Sequence, residues 1–266
     1  MINQQVLLEA IESSLFLLPA LPGRVEILDI PGVQCRSIAG SDPFVSLVGA
    51  ARLEAEHADR TIRQVFDLFA SQEKGFGWMT SPRSTPPNLN ERLEKVGLEK
   101  AVELAGMALT DLCHPIPAYP EVFICKATAG DVKTSSRLLA DAIGFTPEGA
   151  EATNEALLFG KGPGRASVYL AYVQETAEPV GYAASILLPD QPIVLLYCAA
   201  TLESYRGRGV YTSLVACRLA DACLAGAQAA VIQAVRQTSA PILQKLGFNE
   251  LFGLDWYIWE PEEVQE

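Results

Sequence analysis

The sequence predicts a mixed α/β (α+β) protein, a mixed central sheet flanked by helices with a second, smaller domain of related build. Three observations predict it. Short apolar runs of strand length alternate with helix-period segments in the C-terminal half. A glycine–arginine turn, Arg206-Gly207-Arg208-Gly209-Val210-Tyr211, joins one such strand to one such helix. A short pattern also occurs twice: Leu93-Glu94-Lys95-Val96-Gly97 and Leu243-Gln244-Lys245-Leu246-Gly247.

The elements follow in order. Residues 193–200 (Ile-Val-Leu-Leu-Tyr-Cys-Ala-Ala) are apolar and rich in strand formers, so they read as a buried strand. From Gly209 to about residue 225, apolar residues at Val210, Leu214, Val215, Cys217, Leu219 and Ala222 keep helical spacing. A glycine turn with two arginines at a helix start is a place to hold phosphate. Glycine lets the backbone come close, consecutive N–H groups form a concave nest, and the helix start adds partial positive charge. Residues 231–235 read as another strand. Ser239 as N-cap, Pro241 in the first turn and Gly247 at the far end bracket a short helix. Trp256 to Trp259 lie in the last strand.

At this point the chain, across roughly residues 120–260, resembles the GNAT superfamily of N-acetyltransferases. Arg206, Gly209 and Tyr211 occupy the three fixed positions of its acyl-CoA motif, and Leu246-Gly247-Phe248 is a second hallmark. The resemblance implies a GNAT fold and an N-acyltransferase with acetyl-CoA, or another acyl-CoA, as co-substrate and no metal. A primary amine of a small molecule or peptide would attack the thioester directly. It further implies that Tyr197, Cys198 and Ala199 form the strand edge beside the pantetheine, and that Arg206, Gly207, Arg208, Gly209, Val210, Tyr211 and Thr212 hold the pyrophosphate. A strand N–H near Cys198 or Ala199 would polarise the carbonyl.

Two positions depart from the pattern. Tyr211 stands where the family has Gly or Ala, and Leu243 where many members carry a tyrosine that protonates the leaving thiolate. Tyr197 and Tyr211 are the candidate replacement acids, with core packing as the competing reading. No carboxylate lies in 193–200. Glu203 lies just before the loop, where a solvated turn residue is usual. Asp255 on the last strand is the candidate base, against a plain surface charge. Cys198 reads as a small buried residue, because no histidine or activating charge stands near it in sequence.

Composition bounds the rest. The 266 residues are 49% hydrophobic, as in a folded globular chain, and carry a formal charge of −12. Such acidity argues against nucleic-acid binding and would draw cationic substrates. Six scattered cysteines without a C-x-x-C pair, and two histidines, offer no zinc spacing. No apolar run reaches the roughly 20 residues of a membrane span, and no basic leader precedes Leu15-Phe16-Leu17-Leu18, so a cytoplasmic protein with no membrane partner is expected. A homodimer is expected only as a habit of the superfamily.

Prolines 115, 117 and 120 mark a stiff connector, dividing the chain into 1–116 and 117–266. The repeated pattern, with Glu103-Leu104-Ala105-Gly106-Met107 paralleling Glu250-Leu251-Phe252-Gly253-Leu254, makes the first half a degenerate GNAT-like copy. Within it, 75–79 reads as the central strand and 44–69 as a helix with Glu54, Glu56, His57 and Asp59 solvated. Residues 81–87 stand where the second half has its glycine loop. Their prolines and lack of glycine deny that copy a phosphate turn. Residues 160–165 (Gly-Lys-Gly-Pro-Gly-Arg) mimic a phosphate loop but precede a strand, so they read as a surface turn that could cover the acceptor. The acidic tail after Pro261 reads as frayed. The competing functions are a non-catalytic acyl-CoA sensor or assembly module, and a structural protein that has lost the cofactor.

Overall fold

The first half of the computed structural model, which describes residues 2–117, 119–174 and 176–262, starts with helix α1 (Gln4–Ser13). The hairpin β1 (Val25–Ile30) and β2 (Val33–Ile38) follows, then β3 (Leu47–Gly49) and α2 (Ala58–Ala70). β4 (Phe76–Thr80), α3 (Leu89–Val96) and β5 (Glu99–Leu109) complete that half. The second half opens with β6 (Val122–Lys126), α4 (Val132–Ile143) and α5 (Pro147–Phe159). It continues with the hairpin β7 (Arg165–Val173) and β8 (Gly181–Leu187), then β9 (Ile193–Leu195) and β10 (Ala199–Thr201). Helix α6 (Val210–Leu224), β11 (Ala229–Val235), α7 (Ser239–Lys245) and β12 (Asn249–Trp259) end it. Ala118 of the connector and tail residues 263–266 lie outside the described residues.

The two halves run through the same sequence of elements: hairpin, short strand, long helix, strand, short helix, long strand. The repeated pattern closes its helix in the same way each time. Gly97 and Gly247 take left-handed φ of 102° and 92°. The N–H groups of Gly97 and Leu98 return to Glu94 and Leu93, as those of Gly247 and Phe248 return to Gln244 and Leu243. Only glycine enters that conformation without a Cβ penalty.

Among the described residues the strands form one mixed sheet in the order β1-β2-β3-β4-β12-β5-β11-β9-β8-β7-β6, with β10 beside β8. The halves exchange their last strands. β12 lies antiparallel between β4 and β5, while β5 lies between β12 and β11. Alternation along β5 sends Leu104 and Ala108 to one face, and Ala105, Met107 and Leu109 to the other. The first face is covered by α1, α4 and α5, whose Ile11, Leu139 and Ala156 join Leu47, Leu104, Ile193 and Leu254 in one core drawn from both halves. The second face is covered by α2 and α3 on one side and α6 and α7 on the other.

Three local expectations are corrected. Helix α2 begins only at Ala58. The stretch before it contains β3, because Leu47 and Val48 pair with both β2 and β4 and Ala50 turns to φ 47°. The counterpart of the glycine loop is therefore residues 50–57, not 81–87. Residues 81–87 instead dock on that loop: Thr85 N–H donates to Ala51 O (3.1 Å), and Leu53 N–H to Thr85 O (3.2 Å). They close the first copy's strand gap with the chain's own backbone. Finally, Thr238 is the N-cap of α7, and Ser239 is its first residue.

The exchange makes each half incomplete by itself. Chains 1–116 and 117–266 produced separately are expected to show no cooperative thermal unfolding in circular dichroism, and to recover a sheet when refolded together. Cooperative unfolding of either piece alone would contradict the shared core.

Candidate functional site

Strand β9 pairs in parallel with β11 from Ile193–Ala229 to Leu195–Val231, and Leu196 N–H still donates to Val231 O at 2.9 Å. There the pairing stops. β10 goes on beside β8 alone (Ala199–Ala183 to Thr201–Gly181), while β11 runs straight to Val235. The two strands part into a cleft of about 810 Å³, with Tyr197 to Thr201 on one wall and Ile232, Gln233 and Val235 on the other.

The parting is built by a backbone irregularity at Cys198, whose φ of 23° is unusual for a residue with a side chain. Ala184 N–H donates to both Tyr197 O (3.2 Å) and Cys198 O (3.0 Å). A regular antiparallel ladder would return a bond from Cys198 N–H to Ala184 O. Arg218 of α6 takes that carbonyl instead: its Nη1 donates to Ala184 O (3.1 Å) and Tyr197 O (3.4 Å), and its Nε to Leu214 O (3.1 Å). Cys198 N–H therefore has no acceptor among the described residues, and Cys198 lines the cleft. Arg218 is wholly buried, and its Nη2 has no partner among the described residues.

At the outer end lies the glycine loop. Gly207 and Gly209 take φ of 76° and 79°, and α6 starts at Val210 with Gly209 as its cap. The N–H groups of its first turn, Val210, Tyr211 and Thr212, have no intrahelical partner and carry the positive end of the helix dipole. Arg206 lines the cleft and anchors its Nε on Thr201 O (3.4 Å). Thr201 also lines it, and its Oγ1 is buried without a partner among the described residues. Arg208 lies over the Tyr205 ring at 5.6 Å and is not a wall residue. A Cβ on Gly209 would come within 2.2 Å of the Tyr119 ring, so position 209 admits only glycine while that ring rests there.

The loop, the parted strand edge and the orphaned Thr201 hydroxyl fit the pyrophosphate and pantetheine of an acyl-CoA. Tyr197, Cys198, Ala199, Arg206, Gly207, Gly209, Val210, Tyr211 and Thr212 all line the one cleft.

The proposed chemistry sorts less evenly. Tyr197 is buried and accepts a hydrogen bond from Arg36 Nη2 at 3.2 Å, and burial raises its pKa well above the phenol value. Burial likewise raises that of Tyr211, against smaller opposing effects of Arg218 and Ser239 of α7. The Cys198 thiol is pushed by burial up to about 12 and stays protonated. Leu243 is buried in the core beneath α7, away from the cleft. Asp255 does not line the cleft. It shares a face of β12 with Tyr257 and points toward α3, meeting Lys100 Nζ (2.9 Å) and Asn90 Nδ2 (3.2 Å), while its neighbour Trp256 faces the cleft. Glu203 is exposed outside it. No Asp, Glu or His lines the cleft among the described residues. Nor does the 160–165 turn, which is fastened to the first half by Lys161 N–H on Ala20 O (3.1 Å).

Sequence reasoning missed the wall residues contributed from a distance: Arg36 on β2, Phe44 before β3, Phe145 after α4 and Tyr119 of the connector. It also missed Gln233, although a lone polar residue in the apolar run 229–235 was a readable signal.

No family model and no curated protein sequence matches this chain. Solved structures do. A GCN5-related N-acetyltransferase from Kribbella flavida is similar at 16% identity, with 91% of each chain covered and a TM-score of 0.64. A tandem GNAT protein from the clavulanic acid biosynthesis pathway is similar at 12% identity over 98% of this chain and 97% of its own, with a TM-score of 0.61. A GCN5-related N-acetyltransferase from Sphaerobacter thermophilus covers 88% of this chain at 14% identity, over 82% of its own, with a TM-score of 0.57. The two-copy sheet, the parted strands and these likenesses over nearly the whole chain identify its fold as that of the GCN5-related N-acetyltransferases, in tandem form.

Proposed function

We propose that this protein is an acyl-CoA-dependent N-acyltransferase, with acetyl-CoA as donor and a primary amine of a small molecule or peptide as acceptor. The observation that carries this reading is the parting of β10 from β11 directly above the glycine loop that starts α6. When bound, acyl-CoA supplies a thioester carbonyl activated toward amines.

The chain's own residues supply the rest. Arg206 and the N–H groups opening α6 would hold the pyrophosphate. Cys198 N–H, deprived of Ala184 O by Arg218, is a fixed donor for an oxygen that gains negative charge. Tyr211 is the proton donor we favour, because it stands at the start of α6 beside α7, the helix from which the family's usual tyrosine projects. Burial keeps its phenol protonated at neutral pH, as a donor requires. The walls bring no carboxylate or imidazole among the described residues, so the amine arrives neutral and, after attack, its nitrogen gives a proton to water, while the proton that Tyr211 gives the leaving thiolate is restored from solvent. The same lack of a base favours the second reading, a non-catalytic acyl-CoA sensor. Turnover of acetyl-CoA with any amine, lost in Tyr211→Phe, decides against that reading.

Three outcomes are expected. Acetyl-CoA at a hundredfold excess over its Kd should stabilise the native state by about 2.7 kcal/mol, seen as a rise of a few degrees in Tm. Arg206→Glu should abolish that rise while leaving the Tm of the free protein nearly unchanged. Equal stabilisation of both would remove the pyrophosphate from this loop.

Tyr211→Phe should lower kcat by about 10²- to 10⁴-fold at little change in acyl-CoA affinity. The wild-type pH–rate profile should rise with deprotonation of the acceptor amine. Because the Tyr211 pKa is raised from its ordinary 10.0, any falling limb belongs above that pH. A falling limb between pH 6 and 8 would mean another acid.

Cys198→Ala should retain activity within a few-fold, since its contribution is a backbone N–H and its thiol is protonated. Loss of activity with unchanged stability, together with iodoacetamide inactivation traced to Cys198, would instead make the thiol a participant.

A further inference from the structure

Beyond Tyr197 the cleft continues beneath the first half, between Leu15, Phe44, Val102, Leu104, Phe145 and Trp256. One charged group reaches the wall of this apolar chamber, Arg36 of β2, which is only 1% exposed. Its Nε donates to Val45 O (3.1 Å), its Nη1 to Leu15 O and its Nη2 to Tyr197 Oη (3.2 Å). All three acceptors are neutral. No carboxylate lies within salt-bridge distance of Arg36 among the described residues, although Arg24, Arg52, Arg83, Arg92 and Arg236 each meet one. A guanidinium keeps its charge when buried, and a buried charge without a counter-ion is costly. A guanidinium has five N–H donors in a planar fork suited to a carboxylate, and the three bonds above leave two of them.

We propose that the inner end of the cleft is a carboxylate-binding site, in which Arg36 takes the carboxylate of a substrate whose remaining body is apolar. This deepens the acyl-transfer reading and rests on it for the word substrate. The three backbone and phenol acceptors fix the guanidinium, so the site is preorganised. Arg36 holds Tyr197, whose chain neighbour Cys198 carries the free N–H, so a carboxylate seated there lies at a set distance from the reacting end. Apolar amino acids meet these demands as acceptors. A dicarboxylic acyl group on the donor would bring the same chemistry from the other side. Polyamines and other purely cationic amines do not, because they would face Arg36 and no acid.

The test uses the full chain saturated with CoA, with calorimetry of phenylalanine, leucine and 4-phenylbutyrate against their amides. A second arm compares succinyl-CoA with acetyl-CoA on the protein without CoA. A carboxylate preference on the order of ten- to a hundredfold is expected in one arm, from the worth of a charged hydrogen bond, and the arm in which it appears names the source. In Arg36→Met the preference should vanish. In Arg36→Lys, which keeps the charge if Met perturbs the fold, part of it should return. Equal binding of acids and amides by wild type, or no binding of any carboxylate in either arm, overturns the proposal whatever the variants do. Acetyl transfer to the amides at the rate of the acids would overturn it while leaving the acyltransferase reading intact. A carboxylate preference lost in Arg36→Met without any acyl transfer would uphold this site and sink that reading.

Discussion

Everything in the site depends on one buried cation, Arg218. It reaches from the middle of α6 into the sheet and takes the carbonyl of Ala184, which a regular hairpin would have spent on its own ladder, and shares the carbonyl of Tyr197 with Ala184 N–H. Three consequences follow from that substitution. The chain kinks at Cys198, β10 stays with β8 while β11 goes straight, and one N–H is left unmatched on the cleft wall. Placing an arginine here is expensive, since one of its own nitrogens is orphaned in the interior. Such a cost persists in a native structure when the surroundings over-determine it, and strained backbone of this kind collects at working sites. The same helix that pins the kink also begins with the glycine loop, so the cleft's width and the loop's position are set by one rigid body.

The exchange of β5 and β12 explains why the first half persists although its own gap is filled. Residues 81–87 occupy that gap through Thr85, so the first copy has no room for a nucleotide tail. Yet β5 is the strand on which β11 rests, and β2 carries Arg36 to Tyr197. Leu15, Phe44, Val102 and Leu104, all of the first half, line the inner chamber. The second copy supplies the parted strands and the loop, and the first supplies most of the surface that a substrate other than the donor would meet. A tandem fold divided in this way can vary its inner chamber without disturbing the glycine loop.

What the sequence made legible was local. The strand–loop–helix around Arg206 and Gly209 could be read because each residue's demand is met within a few positions: a left-handed turn, an exposed N–H, a helix cap. The two Gly-closed helices were readable for the same reason, and their alignment revealed the repeat. The exchange of last strands was not readable, because β5 and β12 are equally apolar and nothing in either names its partner. Arg36 and Arg218 were hidden for a related reason. A charged residue inside a strand or helix reads as solvated unless its distant partners are known. The misreading of 44–57 as helix came from apolar spacing that two pairing strands satisfied instead. Asp255 falls outside the cleft because strand alternation, one residue off, turned it to the face of α3 and gave the cleft Trp256.

The charge of the molecule and the charge of its cleft have opposite signs, and they act at different ranges. The formal charge of −12 governs encounter, where salt screens it within about 10 Å. Selection happens inside, where Arg36, Arg206 and Lys245 line the walls and no acid answers them. A cationic substrate drawn in by the outer field would lose its hydration among these groups and gain no partner. An anionic one is opposed at a distance but matched at contact, and contact among apolar walls is worth more than steering in water. The acyl-CoA tail and the proposed carboxylate would then sit at opposite ends of one positively lined groove, with the reacting carbonyl between them. The unmatched N–H of Cys198, near the middle of that groove, is where negative charge would develop.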